Sequence, residues 1–164
     1  MNKYTEDDLK IEQKSLDAHD LISNVIDSMS LQLQKRNGHV VLNLSNNLPE
    51  IIADELHLAN VIFNLVDNAI KYSKENPQIT ISSSQMGKQI VLKIKDQGIG
   101  MSKDQQKKIF EQFYRIPTGN LHDVKGFGLG LSYVNEMVKK MNGTITVKSE
   151  KDKGSEFEIR FPVA

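Results

Sequence analysis

The sequence has no cysteine and no tryptophan. The first absence excludes a disulfide scaffold, a thiolate zinc site and a thiol nucleophile, and it fits a reducing compartment. Surplus charge of one sign is also lacking: 21 Lys+Arg balance 21 Asp+Glu over 164 residues, a formal net charge of zero. Long-range attraction to nucleic acid or to an anionic membrane needs clustered surplus Lys/Arg, so neither partner is expected and any phosphate binding must be local. Long hydrophobic runs are missing as well. Glycine aside, none exceeds three residues, as at Val61-Ile62-Phe63, which is too short to span a bilayer. The polar start Met1-Asn2-Lys3-Tyr4-Thr5-Glu6 does not read as a signal peptide. No Pro/Gly/Ser-rich linker divides the chain, so one hydrophobic core is expected.

What is present is hydrophobic periodicity. Leu16, Leu21, Ile22, Val25, Ile26, Met29 and Leu33 recur at helical spacing and predict a helix from Ser15 to Arg36, stopped at Asn37-Gly38. His39 to Leu44 reads as a strand, and Glu50 to Ala53 as a short extended piece. Asp54 reads as the N-cap of a helix reaching about Ser73, striped by Leu58, Val61, Ile62, Leu65, Val66, Ala69 and Ile70. Two alternating segments, Gln78–Ser84 and Lys88–Lys95, predict an antiparallel hairpin turning near Met86-Gly87. A short amphipathic helix from Lys103 to Gln112 leads into an irregular stretch, Arg115 to Lys125, with the character of a lid. A helix opening at the glycine-rich run Gly126 to Gly130 and carrying Leu131, Val134, Val138 and Met141 on one face comes next. Two closing strands, Thr144–Ser149 and Ser155–Phe161, end the pattern. Hairpins mixed with helices, without βαβ repeats, predict an α+β fold: a two-layer sandwich with a mixed, mostly antiparallel sheet packed on one face by about three helices.

Three places carry the residue types of a nucleotide site. At about 100° per residue, Asn64, Asn68 and Lys71 share one face of the helix after Asp54, and Tyr72 stands where that face meets the apolar stripe. Amide oxygens are hard neutral ligands suited to Mg²⁺, and an ammonium suits phosphate. Asp96 ends a strand and is followed by Gln97-Gly98-Ile99-Gly100-Met101; a carboxylate there can accept from an exocyclic amine such as adenine's, and glycines allow close approach of backbone. Gly126-Phe127-Gly128-Leu129-Gly130-Leu131-Ser132 brings glycine-rich backbone into a helix N-terminus, where free N–H groups attract phosphate. The G-x-G-x-G spacing is not a dinucleotide fingerprint, and neither a Gly-Lys-Ser/Thr loop nor the H-R-D and D-F-G signatures of protein kinases occur.

In this order the segments resemble the ATP-binding catalytic domain of sensor histidine kinases, a branch of the GHKL superfamily that includes the gyrase and MutL ATPases. Asn64 to Ser73 is similar to the N box, Asp96 to Met101 to the first glycine box, Ile109-Phe110-Glu111-Gln112-Phe113-Tyr114-Arg115 to the F box and Gly126 to Ser132 to the second glycine box. The resemblance implies that Asn68 and Asn64 sit at Mg²⁺, that Lys71 contacts phosphate and that Tyr72 packs on adenine. It implies that Asp96 accepts from the adenine amine, with Gly98, Ile99, Gly100 and Met101 around it. Arg115 would reach the γ-phosphate, and Phe113, Lys125, Gly126, Phe127, Gly128, Leu129, Gly130 and Leu131 would complete the ATP site, with 115–125 as a mobile ATP lid. Asn64 stands where the hydrolysing members carry a Glu general base, and an amide cannot take a proton from water, so slow hydrolysis and transfer to another acceptor are expected. Further readings remain open: within the superfamily a serine kinase of the anti-sigma-factor type or a weak ATPase, and outside catalysis a nucleotide-binding interaction module.

The acceptor is expected outside these residues. His19-Asp20-Leu21-Ile22-Ser23-Asn24 imitates the start of an acceptor box, but Ser23 holds the Thr/Asn position, no Pro follows, and too few residues separate it from Asn64 for a helical hairpin. His19 reads as an exposed helix residue, His39 and His57 as strand-edge and helix-surface residues, and His122 as part of the lid. The resemblance therefore implies a helical lead-in at 1–37 and an ATP-binding catalytic domain at 38–164. The partners it implies are a dimerisation domain of the same parent protein that carries the acceptor histidine and, indirectly, a response regulator. The domain would be cytoplasmic, in a parent anchored in the inner membrane.

Overall fold

A computed structural model describes residues 10–111, 114 and 130–164. Its elements are β1 (Lys14–Leu16), α1 (Ala18–Ser28), α2 (Ser30–Lys35), β2 (His39–Asn43), β3 (Ile51–Ala53), α3 (Glu55–Lys71), β4 (Gln78–Met86), β5 (Gln89–Asp96), α4 (Lys103–Lys108), α5 (Gly130–Lys140), β6 (Thr144–Glu150) and β7 (Gly154–Pro162). Five strands form one sheet in the order β2-β4-β5-β7-β6. Only the β2–β4 pair is parallel; the other three are antiparallel, so the sheet is mixed and mostly antiparallel as expected.

The sheet has one buried face. Ile79 and Ile81 of β4, Ile90, Leu92 and Ile94 of β5, and Phe157, Ile159 and Phe161 of β7 alternate inward, the period-2 pattern of a half-covered sheet. α1, α3 and α5 cover it. Their apolar stripes, centred on Leu21, Ile22 and Val25, on Val61, Leu65 and Ile70, and on Val134, Met137 and Val138, fill the space between the layers. The opposite face carries polar residues such as Glu158, which binds Arg160 at 2.9 Å and faces Lys93 at 3.8 Å.

Two local expectations are corrected, and the hairpin turn stands where it was expected. The single helix predicted from Ser15 to Arg36 is a strand and two helices. Lys14, Ser15 and Leu16 pair antiparallel with Ala53, Ile52 and Ile51. Asp17 then caps α1 by accepting from the N–H groups of His19 and Asp20. The helix breaks at Met29, whose φ of −100° and ψ of 7° leave the helical region. Leu16 fitted the helical period because a short strand before a helix can bury the same kind of residue. The helix predicted to reach Gln112 is α4, which ends at Lys108, with Ile109 and Phe110 in a turn; Ser102 and Gln105 form a reciprocal capping box at its start. Gly87, with φ of +63°, makes the β4–β5 turn.

This topology brings the end of α3, the end of β5, the start of α5 and the β6–β7 turn to one edge of the sandwich. Among the described residues, no helix is long and apolar enough to cross a membrane.

Candidate functional site

α3 is the platform. The Asp54 carboxylate accepts from the His57 N–H at 3.0 Å, fixing where the helix starts and hence which residues face inward. Leu58, Val61, Ile62, Leu65, Val66, Ala69 and Ile70 are all buried, so the polar face predicted for Asn64, Asn68 and Lys71 is turned away from the core. Asn68 stands on the wall of a pocket, and its side-chain amide hydrogen-bonds to none of the described residues. Asn64 donates from Nδ2 to the Asn60 carbonyl at 2.7 Å, while its Oδ1 faces α5: a Cβ added to Gly130 would lie 3.0 Å from it. Lys71 lies off the pocket wall and reaches one turn back to Asp67 at 2.8 Å. The Gln32 amide in turn donates to the other Asp67 oxygen at 2.6 Å.

Tyr72 closes the helix and starts the floor. Its N–H donates to the Asn68 carbonyl, and its own carbonyl accepts from the Ile99 N–H, both at 3.0 Å. That second bond pins the loop after β5 to the end of α3. Gly98 is required there because a Cβ would come within 2.5 Å of the Tyr72 carbonyl oxygen. Gly100, at φ +64°, would drive a Cβ into the Glu150 carbonyl. The close approach that these glycines permit is therefore first of all that of the chain to itself, which gives the loop its shape.

Asp96 is buried, 7% exposed, at the end of β5. Burial pushes its carboxyl up to about 6, against the pull of backbone N–H groups of Gly98 and Ser155. Both donors converge on Oδ1, at 2.8 and 3.3 Å. Among the described residues no donor reaches Oδ2, and since no fully buried side-chain oxygen lacks a partner there, Oδ2 keeps access to water or a ligand.

Asn68, Tyr72, Asp96, Ile99, Gly100, Met101 and Leu131 line one pocket. Ala69, Ile109, Ser155 and Phe157 line it too and were not singled out. Ala69 had a signal, as the small residue beside Asn68 at the edge of the stripe, and Ile109 opens the F box. Ser155 and Phe157 reach the pocket only because β7 pairs with β5, Glu156 opposite Lys95. Phe113, Arg115, Lys125, Gly126, Phe127, Gly128, Leu129 and the stretch 115–125 lie outside the described residues, as does His122.

Two histidines differ from expectation. His19 is half-buried, its Nε2 2.8 Å from the Ser83 hydroxyl on the inner face of β4. His57 is no helix-surface residue either: its ring nitrogens lie 2.7 Å from the Tyr133 hydroxyl and 3.0 Å from the Lys10 carbonyl. Helical periodicity places neither contact, since both partners come from other elements.

A mostly apolar pocket with one buried acid, Asp96, and one amide, Asn68, on its wall suits a purine nucleotide. Residues 53–164 match the family model described as "Histidine kinase-, DNA gyrase B-, and HSP90-like ATPase", and the chain belongs to that ATP-binding family. It is 43% identical over 166 residues to the sensor protein RprX of Bacteroides fragilis, covering 99% of this chain and 32% of that one. With the sensor protein CiaH of Streptococcus pneumoniae it shares 39% identity over 113 residues, 69% of this chain and 26% of that one. The chain thus spans about a third or less of the length of these curated relatives. Among solved structures, the catalytic domain of histidine kinase ThkA superposes with a TM-score of 0.81 at 25% identity, over 93% of this chain and 99% of that one.

Proposed function

We propose that the chain is the ATP-binding catalytic domain of a two-component sensor histidine kinase. It binds Mg-ATP and transfers the γ-phosphate to a histidine on a dimerisation domain of the parent protein, from which a response regulator receives it. Residues 1–37 lead into the domain at 38–164 from that upstream part. Residues 14–35 also contribute β1, α1 and α2 to the described fold.

The observation that carries this reading is Asp96: buried, on the wall of an apolar pocket, held on one oxygen by two backbone donors and with no described donor on the other. Oδ2 accepts from the exocyclic amine of adenine, and Ile99, Met101, Ile109, Leu131 and Phe157 exclude water around the base. Selection for adenine follows, because a base presenting a carbonyl at that point would set acceptor against acceptor.

Mg²⁺ fits the donors at the mouth. The Asn68 amide makes no hydrogen bond to a described residue and the Asn64 oxygen faces Gly130, so both are available as neutral ligands. Amide oxygens are hard neutral ligands, and an ion that takes its remaining oxygens from phosphates and water keeps the six-oxygen set Mg²⁺ needs. When bound, the ion supplies charge neutralisation on the transferring phosphoryl group. Lys71 adds a cation beside the phosphates, and Arg115 with the amides of 126–130 completes the cradle by the box pattern. Asn64 offers no general base, so water is a poor acceptor and the phosphoryl group is kept for histidine.

Nucleotide titration of the wild type against Asn68→Ala and Asp96→Ala tests the site, and undiminished affinity in both variants refutes it. Labelled ATP with a separate acceptor-helix domain tests the chemistry. Acid-labile label on the acceptor is expected; acid-stable label marks a serine kinase, and tight binding without transfer marks a non-catalytic module.

A further inference from the structure

Residues 10–12 run past the start of α3 and are held at two points. The Glu12 N–H donates to Asp54 Oδ2 at 2.7 Å, and the Lys10 carbonyl lies 3.0 Å from His57 Nε2. Asp54 in turn takes the N–H of His57 on its other oxygen. The far side of the same imidazole meets α5, with Nδ1 2.7 Å from the Tyr133 hydroxyl and the two rings 6.1 Å apart.

Hydrogen-bond chemistry gives this cluster a direction. A backbone carbonyl only accepts, so Nε2 must carry the proton and donate to Lys10. In the neutral ring Nδ1 then accepts, and the Tyr133 O–H donates to it. Asn60 Nδ2, 3.5 Å from the phenol oxygen, is a donor facing that oxygen. One side chain thus bonds the incoming segment and α5 at once, and each bond fixes the tautomer that the other needs.

What α5 carries at its start makes the contact matter. Leu131, two residues before Tyr133, lines the nucleotide cavity. Gly130 packs so closely on Asn64 that an added Cβ would stand 3.0 Å from Oδ1. A slide or roll of the first turn of α5 therefore changes the cavity wall and the setting of Asn64 together.

We propose that His57 is a positioning residue: through Tyr133 it sets the first turn of α5 in the nucleotide site, and through Lys10 it makes that setting depend on how residues 10–12 are seated. The inference rests on the nucleotide-binding reading above. It assigns to a residue outside the four boxes the task of linking the upstream segment to the nucleotide. Because binding free energies are reciprocal, nucleotide must also tighten the seating of residues 10–12.

The test combines titration with a non-transferable ATP analogue and hydrogen exchange at the Glu12 amide. In the wild type the analogue should slow exchange at Glu12. Tyr133→Phe, which keeps the ring and removes only the hydroxyl, should weaken analogue binding by about five- to tenfold, the low end of ordinary coupling, and abolish the slowing. His57→Leu should do the same, the double variant should be no worse than either single one, and His57→Gln, with a donor and an acceptor on one side chain, should retain the slowing. Binding by Tyr133→Phe within about twofold of wild type, the usual error of such comparisons, overturns the inference. So does exchange at Glu12 that ignores the analogue in the wild type, since a packing role alone would leave it unmoved. If the wild type does not bind the analogue at all, the nucleotide reading falls and this inference with it; binding without coupling refutes the inference alone.

Discussion

Replacing Asp96 by asparagine should make the unliganded protein more stable and the nucleotide site poor at holding adenine. A rise from the usual 3.8 to about 6 means on the order of 3 kcal/mol set against the ionised form, at ~1.4 kcal/mol per pH unit. Between those two values the folded state keeps a proton that the unfolded chain releases. The contribution of Asp96 to stability is therefore greatest at low pH and falls as pH rises through that window. Asparagine has no charge to desolvate and can still accept on Oδ1 from Gly98 and Ser155, though its own amide costs something to bury. A net gain of about 1–2 kcal/mol at pH 7.5, or roughly 3–6 °C in Tm for a domain of this size, is expected. At pH 4.5 the gain should shrink toward zero. The same change puts an N–H₂ donor where Oδ2 accepts, so a charge-assisted hydrogen bond is lost and two donors face each other. Affinity for ATP should drop by about 10²-fold. Thermal unfolding at the two pH values and calorimetric nucleotide titration measure both effects. A variant that binds ATP as tightly as wild type, or is less stable at both pH values, would refute the reasoning.

Gly100→Ala should cost about 2–4 kcal/mol, because its Cβ runs into the Glu150 carbonyl at a backbone angle that disfavours side chains; denaturant unfolding reads the loss. Asn68→Ala should leave stability within about 0.5 kcal/mol, as no hydrogen bond to the described residues is removed, yet abolish the dependence of nucleotide affinity on Mg²⁺. Burial raises the Asp54 carboxyl, but backbone donors from Glu12 and His57 outweigh it and hold it below the usual carboxylate value. Asp54→Ala should accordingly cost about 1–2 kcal/mol at neutral pH, and the wild-type advantage should disappear as pH falls through the lowered folded value.

Much of the fold was legible. The stripe of α3 is one continuous helical period, its N-cap stands before it, and all seven apolar positions named from the sequence are buried. The hairpin β4–β5 announced itself by alternation around a glycine turn. The start of the chain misled because three residues of strand carry too little period to register, and β1 exists only through β3, more than thirty residues on. The pocket lining was legible where box residues sit on regular elements or at their ends, as with Asn68, Tyr72 and Asp96. It was not legible at Ser155 and Phe157, which reach the cavity across a strand pairing, nor at His57, whose two partners come from opposite ends of the chain.

The sequence by itself determined the class of fold, the order of the four boxes and the chemistry on offer: amides for a hard cation, an acid at a strand end, glycines at two tight places. Local periodicity and turn chemistry depend on near neighbours, so one dimension suffices for them. Only the tertiary structure decided which oxygen of Asp96 is left open, that Lys71 leans on Asp67, and that Gly98 and Gly100 serve backbone packing. It also decided that one histidine ties the incoming segment to α5. Each of these is a competition between partners brought together by strand pairing and helix packing, and its outcome rests on distances that sequence separation does not contain.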